Sequence, residues 1–198
     1  MTYTLYGHVQ SRAIRPLWLL EELGLPYSFV TAKPRSPEAL AVHPSGKVPV
    51  LDMPEGRMTD SVAMMTLLTD REGRLTHPPG SYARGQQDAL TQRINEQLDA
   101  VLWAYAKHSF VLPEDHRVPA VKDSLEWQFA QHAEGLAAAL GAGSYLMGAN
   151  PVVPDFLLAH CCSWAKGRGF ALPDALRAHM TMMRARPAFR RAQAQGDT

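Results

Sequence analysis

Two short segments of this chain bear side chains whose types and spacing suit the capture of a small charged peptide. The first is Val48-Pro49, inside Gly46-Lys-Val-Pro-Val50. A cis bond at that proline would turn the chain and leave the Val48 N–H and C=O facing outward, where an extended peptide can pair with them as an added strand. An ordinary trans proline at a strand start is the alternative. The second segment is Asp60-Ser61, immediately ahead of a helical pattern. There the Ser61 hydroxyl and the first free N–H groups of the helix can meet a carboxylate, and Asp60 can meet an ammonium. An α-amino acid head group offers both charges, and each charge-assisted hydrogen bond is worth about 1.5 to 3 kcal/mol. Asp and Ser are also standard helix caps, and capping alone would account for the pair.

Other chemistries find less support. The two cysteines, Cys161 and Cys162, are neighbours and cannot staple distant segments, so no disulfide framework is expected. They fall in a helical pattern with Phe156, Leu157 and Trp164, which reads as apolar core. The eight histidines show no HExxH or comparable paired spacing, and no metal site is expected. With 20 basic and 19 acidic side chains and a net charge of +1, the chain has no field to attract nucleic acid or an anionic membrane. A small or neutral partner is expected. No run approaches 18 apolar residues, and Met1 to Tyr6 enters a strand pattern rather than a basic, greasy leader, so a cytoplasmic location is expected.

The elements that must position these residues follow from periodicity. Thr2 to Gly7 reads as a strand, and Ser11 opens a helical pattern in which Ile14, Leu17, Trp18 and Leu20 share a face until Gly24. Tyr27 to Thr31 is a second strand, and a short helix follows near Glu38 to Val42. A strand through Val50, a turn at Pro54-Glu-Gly56, a strand at Arg57 to Thr59 and a helix from Ser61 to about Arg71 complete a β-α-β-α-β-β-α order. His77-Pro-Pro-Gly80 suits an extended linker. Residues 1–75 are therefore expected to form one domain, 76–82 a linker, and 83–198 an all-helical domain: an α/β unit followed by an all-α unit. In the latter, Leu90 to Tyr105 and Val118 to Leu140 predict two long antiparallel helices, and 154–166 and 172–185 two more.

The element order, Leu5-Tyr-Gly-His-Val-Gln-Ser11, Pro44-Ser-Gly-Lys-Val-Pro49 and Asp60-Ser61 together resemble the cytosolic glutathione transferases over nearly the whole chain. The family's usual segments are Asn-Pro-x-Gly-x-Val-Pro and Glu-Ser. The resemblance implies a thioredoxin-like first domain, a helical second domain, a homodimer, and glutathione as co-substrate across Val48, Pro49 and the start of the third helix. By position, Ser61 should take the γ-glutamyl carboxylate and Asp60 its amine. Lys47 and Arg35 fall near the glycyl end. Ser11 is similar to the serine of serine-type members such as the phi class, which hydrogen-bonds the sulfur. An N-cap is its alternative role, and Tyr6 and His8 are competing donors, though strand alternation is expected to bury Tyr6. No cysteine stands at the first helix, which disfavours mixed-disulfide chemistry.

The implied function is a glutathione transferase that activates the thiol for attack on a hydrophobic electrophile. The alternatives are a glutathione-dependent isomerase, dehalogenase or lyase, and a non-catalytic interaction module of the same fold. The second substrate is expected under the long helix containing Trp103, Tyr105, His108 and Phe110. Two departures from the family pattern stand out. Asp60 is shorter than the usual glutamate. Val152 occupies a helix-capping position ahead of Asp155 where Ser or Thr is usual, a deficit of about 1 kcal/mol unless another group substitutes.

Overall fold

The computed structural model describes residues 2–196. Strand β1 (Tyr3–Gly7), helix α1 (Ile14–Leu23) and strand β2 (Tyr27–Thr31) come first, then α2 (Pro37–Val42), β3 (Val50–Met53), β4 (Gly56–Thr59) and α3 (Ser61–Glu72). The expected order is present. Across the sheet the strands run β2-β1-β3-β4, with β1 parallel to β2 and antiparallel to β3, and β3 and β4 joined as a hairpin. Parallel neighbours need a crossover, and α1 supplies it. It ends at Gly24 in the left-handed conformation, the usual helix stop.

The chain forms two compact units. One runs to Pro79 and is rejoined by the chain from Arg184 on; the other is Gly80–Met183. A division at 76–82 places the whole C-terminal part in a helical domain, whereas the structure returns the last helix, α9 (Pro187–Ala194), to the first unit, where it packs on α1. Side chains explain the return. Phe189 meets Trp18 edge to face with ring centroids 4.7 Å apart. Arg186 grips the Glu22 carboxylate with Nε at 2.6 Å and Nη2 at 2.8 Å, and Glu22 also accepts the Trp18 indole N–H at 3.0 Å. Helix α1 is therefore buried from Ile14 to Leu20, covered by α3 and α9. Periodicity did not reveal α9 because it has only eight residues; Pro187 at its first turn is the start signal that marks it.

In the Gly80–Met183 unit, α4 (Tyr82–Ile94) continues through a π turn at Asn95–Asp99 into α5 (Ala100–Ala106) and a second π turn at Lys107–Val111. Helices α6 (Val121–Leu140), α7 (Val153–Gly167) and α8 (Asp174–Arg184) follow. Among the described residues this unit has no strand, only an isolated bridge between Tyr145 and Gly148. Phe170 caps its core, edge to face with Phe129 and Tyr105, both at 4.9 Å. Val118 is a correction: it lies outside α6 and is exposed, since the residue before Pro119 avoids helical backbone. No helix among the described residues is long and apolar enough to cross a membrane.

Candidate functional site

Strand register brings the singled-out segments to one edge of the sheet. Tyr6 pairs with Val30 on one side and Val50 on the other, and Val50 pairs with Thr59, so these four lie in one row. One step beyond that row stand Gly7 and the loop carrying Ser11, then Val48-Pro49, then Asp60-Ser61. Three segments far apart in the chain thus converge because each begins or ends a neighbouring strand.

The Val48-Pro49 peptide bond is cis. Pro49 is buried, Val48 half-buried and Lys47 exposed. A Cβ on Gly7 would lie 2.3 Å from the Ala13 Cβ and 4.0 Å from the Pro49 Cα, so only glycine lets the end of β1, the start of α1 and Pro49 meet. Gly46 sits at φ +61°, and its carbonyl accepts the backbone N–H of Arg35 at 2.8 Å. A Cβ there would lie 2.8 Å from the Arg35 Cα. The loop of exposed Arg35 is thereby tied to the residue preceding Lys47. Gly46→Ala, strained in backbone and blocked in space, is expected to cost about 1 to 3 kcal/mol, read as a lowered urea midpoint for the N-terminal unit.

Asp60, at φ +71°, caps α3: its Oδ1 accepts the N–H groups of Val62 at 2.9 Å and Ala63 at 3.0 Å. The capping reading therefore holds for Asp60, with one carboxylate oxygen engaged and the side chain exposed. Ser61 is not the cap but the first helical residue, and it is buried. Its Oγ accepts a hydrogen bond at 3.1 Å from Nη1 of Arg15, a guanidinium only 1% exposed on α1. Arg15 is the residue that sequence reasoning missed. The available clue was a lone cation inside the apolar run Ile14-Arg-Pro-Leu-Trp-Leu-Leu20. A buried guanidinium is costly unless its donors are met. It also fixes the polarity of Ser61: with the oxygen accepting from Arg15, the hydroxyl proton is the group left to donate to an anion.

Ser11 lies in the turn before α1, which begins at Ile14. Its Oγ accepts the Ala13 N–H at 3.1 Å and donates to the His8 carbonyl at 2.7 Å, bonds that close this turn; the N-cap of α1 is Ala13, which makes no side-chain cap bond, so Ser11 is not the helix cap. The same carbonyl takes the Ser11 backbone N–H at 2.8 Å. Rotating the hydroxyl toward another acceptor therefore leaves that carbonyl satisfied. Tyr6 is a correction: the buried alternate positions of β1 are Tyr3, Leu5 and Gly7, and Tyr6 is on the half-exposed face. His8 is half-buried, its Nδ1 accepting the Gln10 N–H at 3.2 Å.

Elsewhere, Cys161 and Cys162 are fully buried, and burial pushes the Cys162 thiol up from its ordinary value. Asp155 makes up part of the capping deficit at Val152. Its carboxylate accepts the N–H groups of Val152 at 2.9 Å and Leu146 at 2.8 Å, and meets His179 Nε2 at 3.2 Å. The Asp155 N–H, which a serine side chain would have taken, bonds to the Val152 carbonyl at 2.9 Å. Trp103 and Phe110 are 37% and 51% exposed.

Residues 5–78 match the family described as glutathione S-transferase, N-terminal domain. The chain is also similar to solved structures of glutathione transferases. BphK, a bacterial enzyme seen in a ternary complex, shares 21% identity at a TM-score of 0.87, covering 98% of this chain and 100% of its own. The transferase from Xylella fastidiosa shares 24% at 0.84, covering 98% of each chain. A sphingomonad transferase complexed with glutathione shares 22% at 0.84, covering 100% of this chain and 99% of its own. Comparison with curated protein sequences yields no match.

Proposed function

We propose that this chain, whose residues 5–78 match the glutathione S-transferase N-terminal domain family and which has the fold of solved glutathione transferases over its whole length, is a glutathione transferase acting on a hydrophobic electrophile. Ser61 donates its hydroxyl to the γ-glutamyl carboxylate, assisted by the N-terminus of α3 and the buried charge of Arg15 behind it. Asp60 receives the glutamyl amine with the oxygen not used in capping. The Val48 backbone beside Pro49 pairs with the peptide as an added strand, and Lys47 and Arg35 meet the glycyl carboxylate. Ser11, with the N-terminus of α1, stabilises the thiolate. Binding positions the sulfur, electrostatics lowers its pKa, and no protein group becomes covalently modified. The protein acts as a cytoplasmic homodimer in detoxification.

The observation that carries this reading is the Arg15–Ser61 hydrogen bond, which orients a buried hydroxyl as a donor at a helix start. Calorimetry with reduced glutathione tests it. Saturable one-to-one binding is expected, weakened about tenfold or more in Ser61→Ala, as loss of one charge-assisted bond implies. Absence of binding by the wild type would sink the proposal. A second reading, a glutathione-binding module without catalysis, is favoured by one feature: the Ser11 hydroxyl is engaged with the His8 carbonyl. Ultraviolet titration of the bound thiol separates the two, since only the enzyme lowers its pKa.

A further inference from the structure

Away from that site, three side chains of the Gly80–Met183 unit converge. Asp99, His160 and Cys161 each offer a ligand atom, and these atoms all lie within 4.8 Å of one another. We propose that this cluster binds a divalent transition ion of the zinc type, held by the Asp99 carboxylate, the His160 imidazole and the Cys161 thiolate, with water as fourth ligand. The proposal is independent of the glutathione reading.

The donor set selects the ion. Carboxylate, imidazole and thiolate together suit borderline d-block ions, whereas calcium and magnesium take oxygen ligands alone. Bond lengths of about 2.0 to 2.3 Å in a tetrahedron set ligand atoms about 3.3 to 3.7 Å apart. Closing the present spacing to that distance takes about an ångström of side-chain movement, and His160 is the half-buried member of the three. Asp99 and Cys161 are 5% and 0% exposed, so the partial exposure of His160 is the side open to the approaching ion and its water.

The backbone supports the same placement. Asp99 ends the π turn between α4 and α5, an insertion that recurs at functional sites. His160 and Cys161 are consecutive on α7, which already packs against that turn and α4. An ion there would tie two helical runs that are distant in sequence, which is why spacing alone showed no metal motif. Trp164, one turn along α7, lies beside the His160 ring with centroids 6.3 Å apart. On binding, metal–oxygen, metal–nitrogen and metal–sulfur bonds form, the Cys161 S–H bond breaks, and its proton leaves to solvent without change of oxidation state. Cys162, adjacent but outside the cluster, is the internal control.

The test is titration of the full chain, freed of any histidine tag, with cobalt(II). One equivalent is expected to bind, giving an ultraviolet sulfur-to-cobalt charge-transfer band that zinc displaces. The band should vanish in Cys161→Ser and persist in Cys162→Ser, and Asp99→Asn and His160→Gln should weaken binding at least about tenfold. A wild-type protein without the band overturns the proposal, as does a band that survives Cys161→Ser. Should Cys161→Ser fail to fold, His160→Gln at the half-exposed position decides: unchanged cobalt affinity overturns it.

Discussion

Asp155→Ala is expected to cost the Gly80–Met183 unit about 3 to 5 kcal/mol, the largest effect of any single change considered for this chain. The Asp155 carboxylate is fully buried and serves Leu146 N–H, Val152 N–H and His179 Nε2 together. An alanine removes the acceptor while the donors remain in place. Each buried donor left without a partner costs about 1 to 3 kcal/mol, with water recovering part of that where the Leu146 side is less enclosed. Urea unfolding followed by far-ultraviolet circular dichroism should show a lower midpoint at unchanged slope. Asp155→Asn, which keeps one acceptor oxygen in the same shape, should lose less. A cost below about 1 kcal/mol for the alanine variant would show that the donors find other acceptors, and that this carboxylate does not hold the start of α7.

Ser11→Ala is expected to lower kcat/KM about ten- to hundredfold, the equivalent of one hydrogen bond of about 1.5 to 3 kcal/mol to a thiolate. The bound glutathione thiol should rise by about 1 to 2 in pKa, read from thiolate absorbance against pH. The sign follows from which form is stabilised: a hydroxyl donor favours the anion, so its loss favours the neutral thiol. In the structure the Ser11 hydroxyl is directed at the His8 carbonyl. The proposed mechanism has it rotate to the sulfur, with the Ser11 N–H keeping the carbonyl satisfied meanwhile. The stability of Ser11→Ala should fall only by the value of a hydrogen bond within a turn, about 0.5 to 1.5 kcal/mol. An unchanged thiol pKa with unchanged glutathione affinity would remove Ser11 from the mechanism and leave binding by Ser61 intact.

Much of the N-terminal unit was legible because its elements obey local rules. Tyr27 to Thr31 is a strand as the aromatic and β-branched content indicates, Gly24 ends α1, and the turn at Pro54-Glu55 separates β3 from β4, whose first residue is Gly56. The helix α3 was readable from the Asp60-Ser61 pair, both capping residue types, ahead of its helical pattern. What escaped was the kind of contact that closes only in three dimensions. Helix α9 is too short to show a period and owes its place to Trp18 and Glu22 far back in the chain. The burial of Arg15 depends on Ser61 in another helix. The half-exposed position of Tyr6 depends on which face of β1 is covered.

The sequence by itself determined the order of strands and helices as far as α3, the absence of a strong net charge, and the presence of Val48-Pro49, Asp60-Ser61 and Ser11 at or just before element boundaries, since each of these is a local property of residue type and spacing. The tertiary structure decided what those residues face: that Pro49 is cis, that Asp60 rather than Ser61 caps α3, and that Ser61 takes a bond from a buried guanidinium. It alone brought Asp99 to His160 and Cys161. Local propensities act over a few residues, whereas the pairing of buried polar groups is settled by whichever partners the packed core brings within hydrogen-bond reach, wherever they lie in the chain.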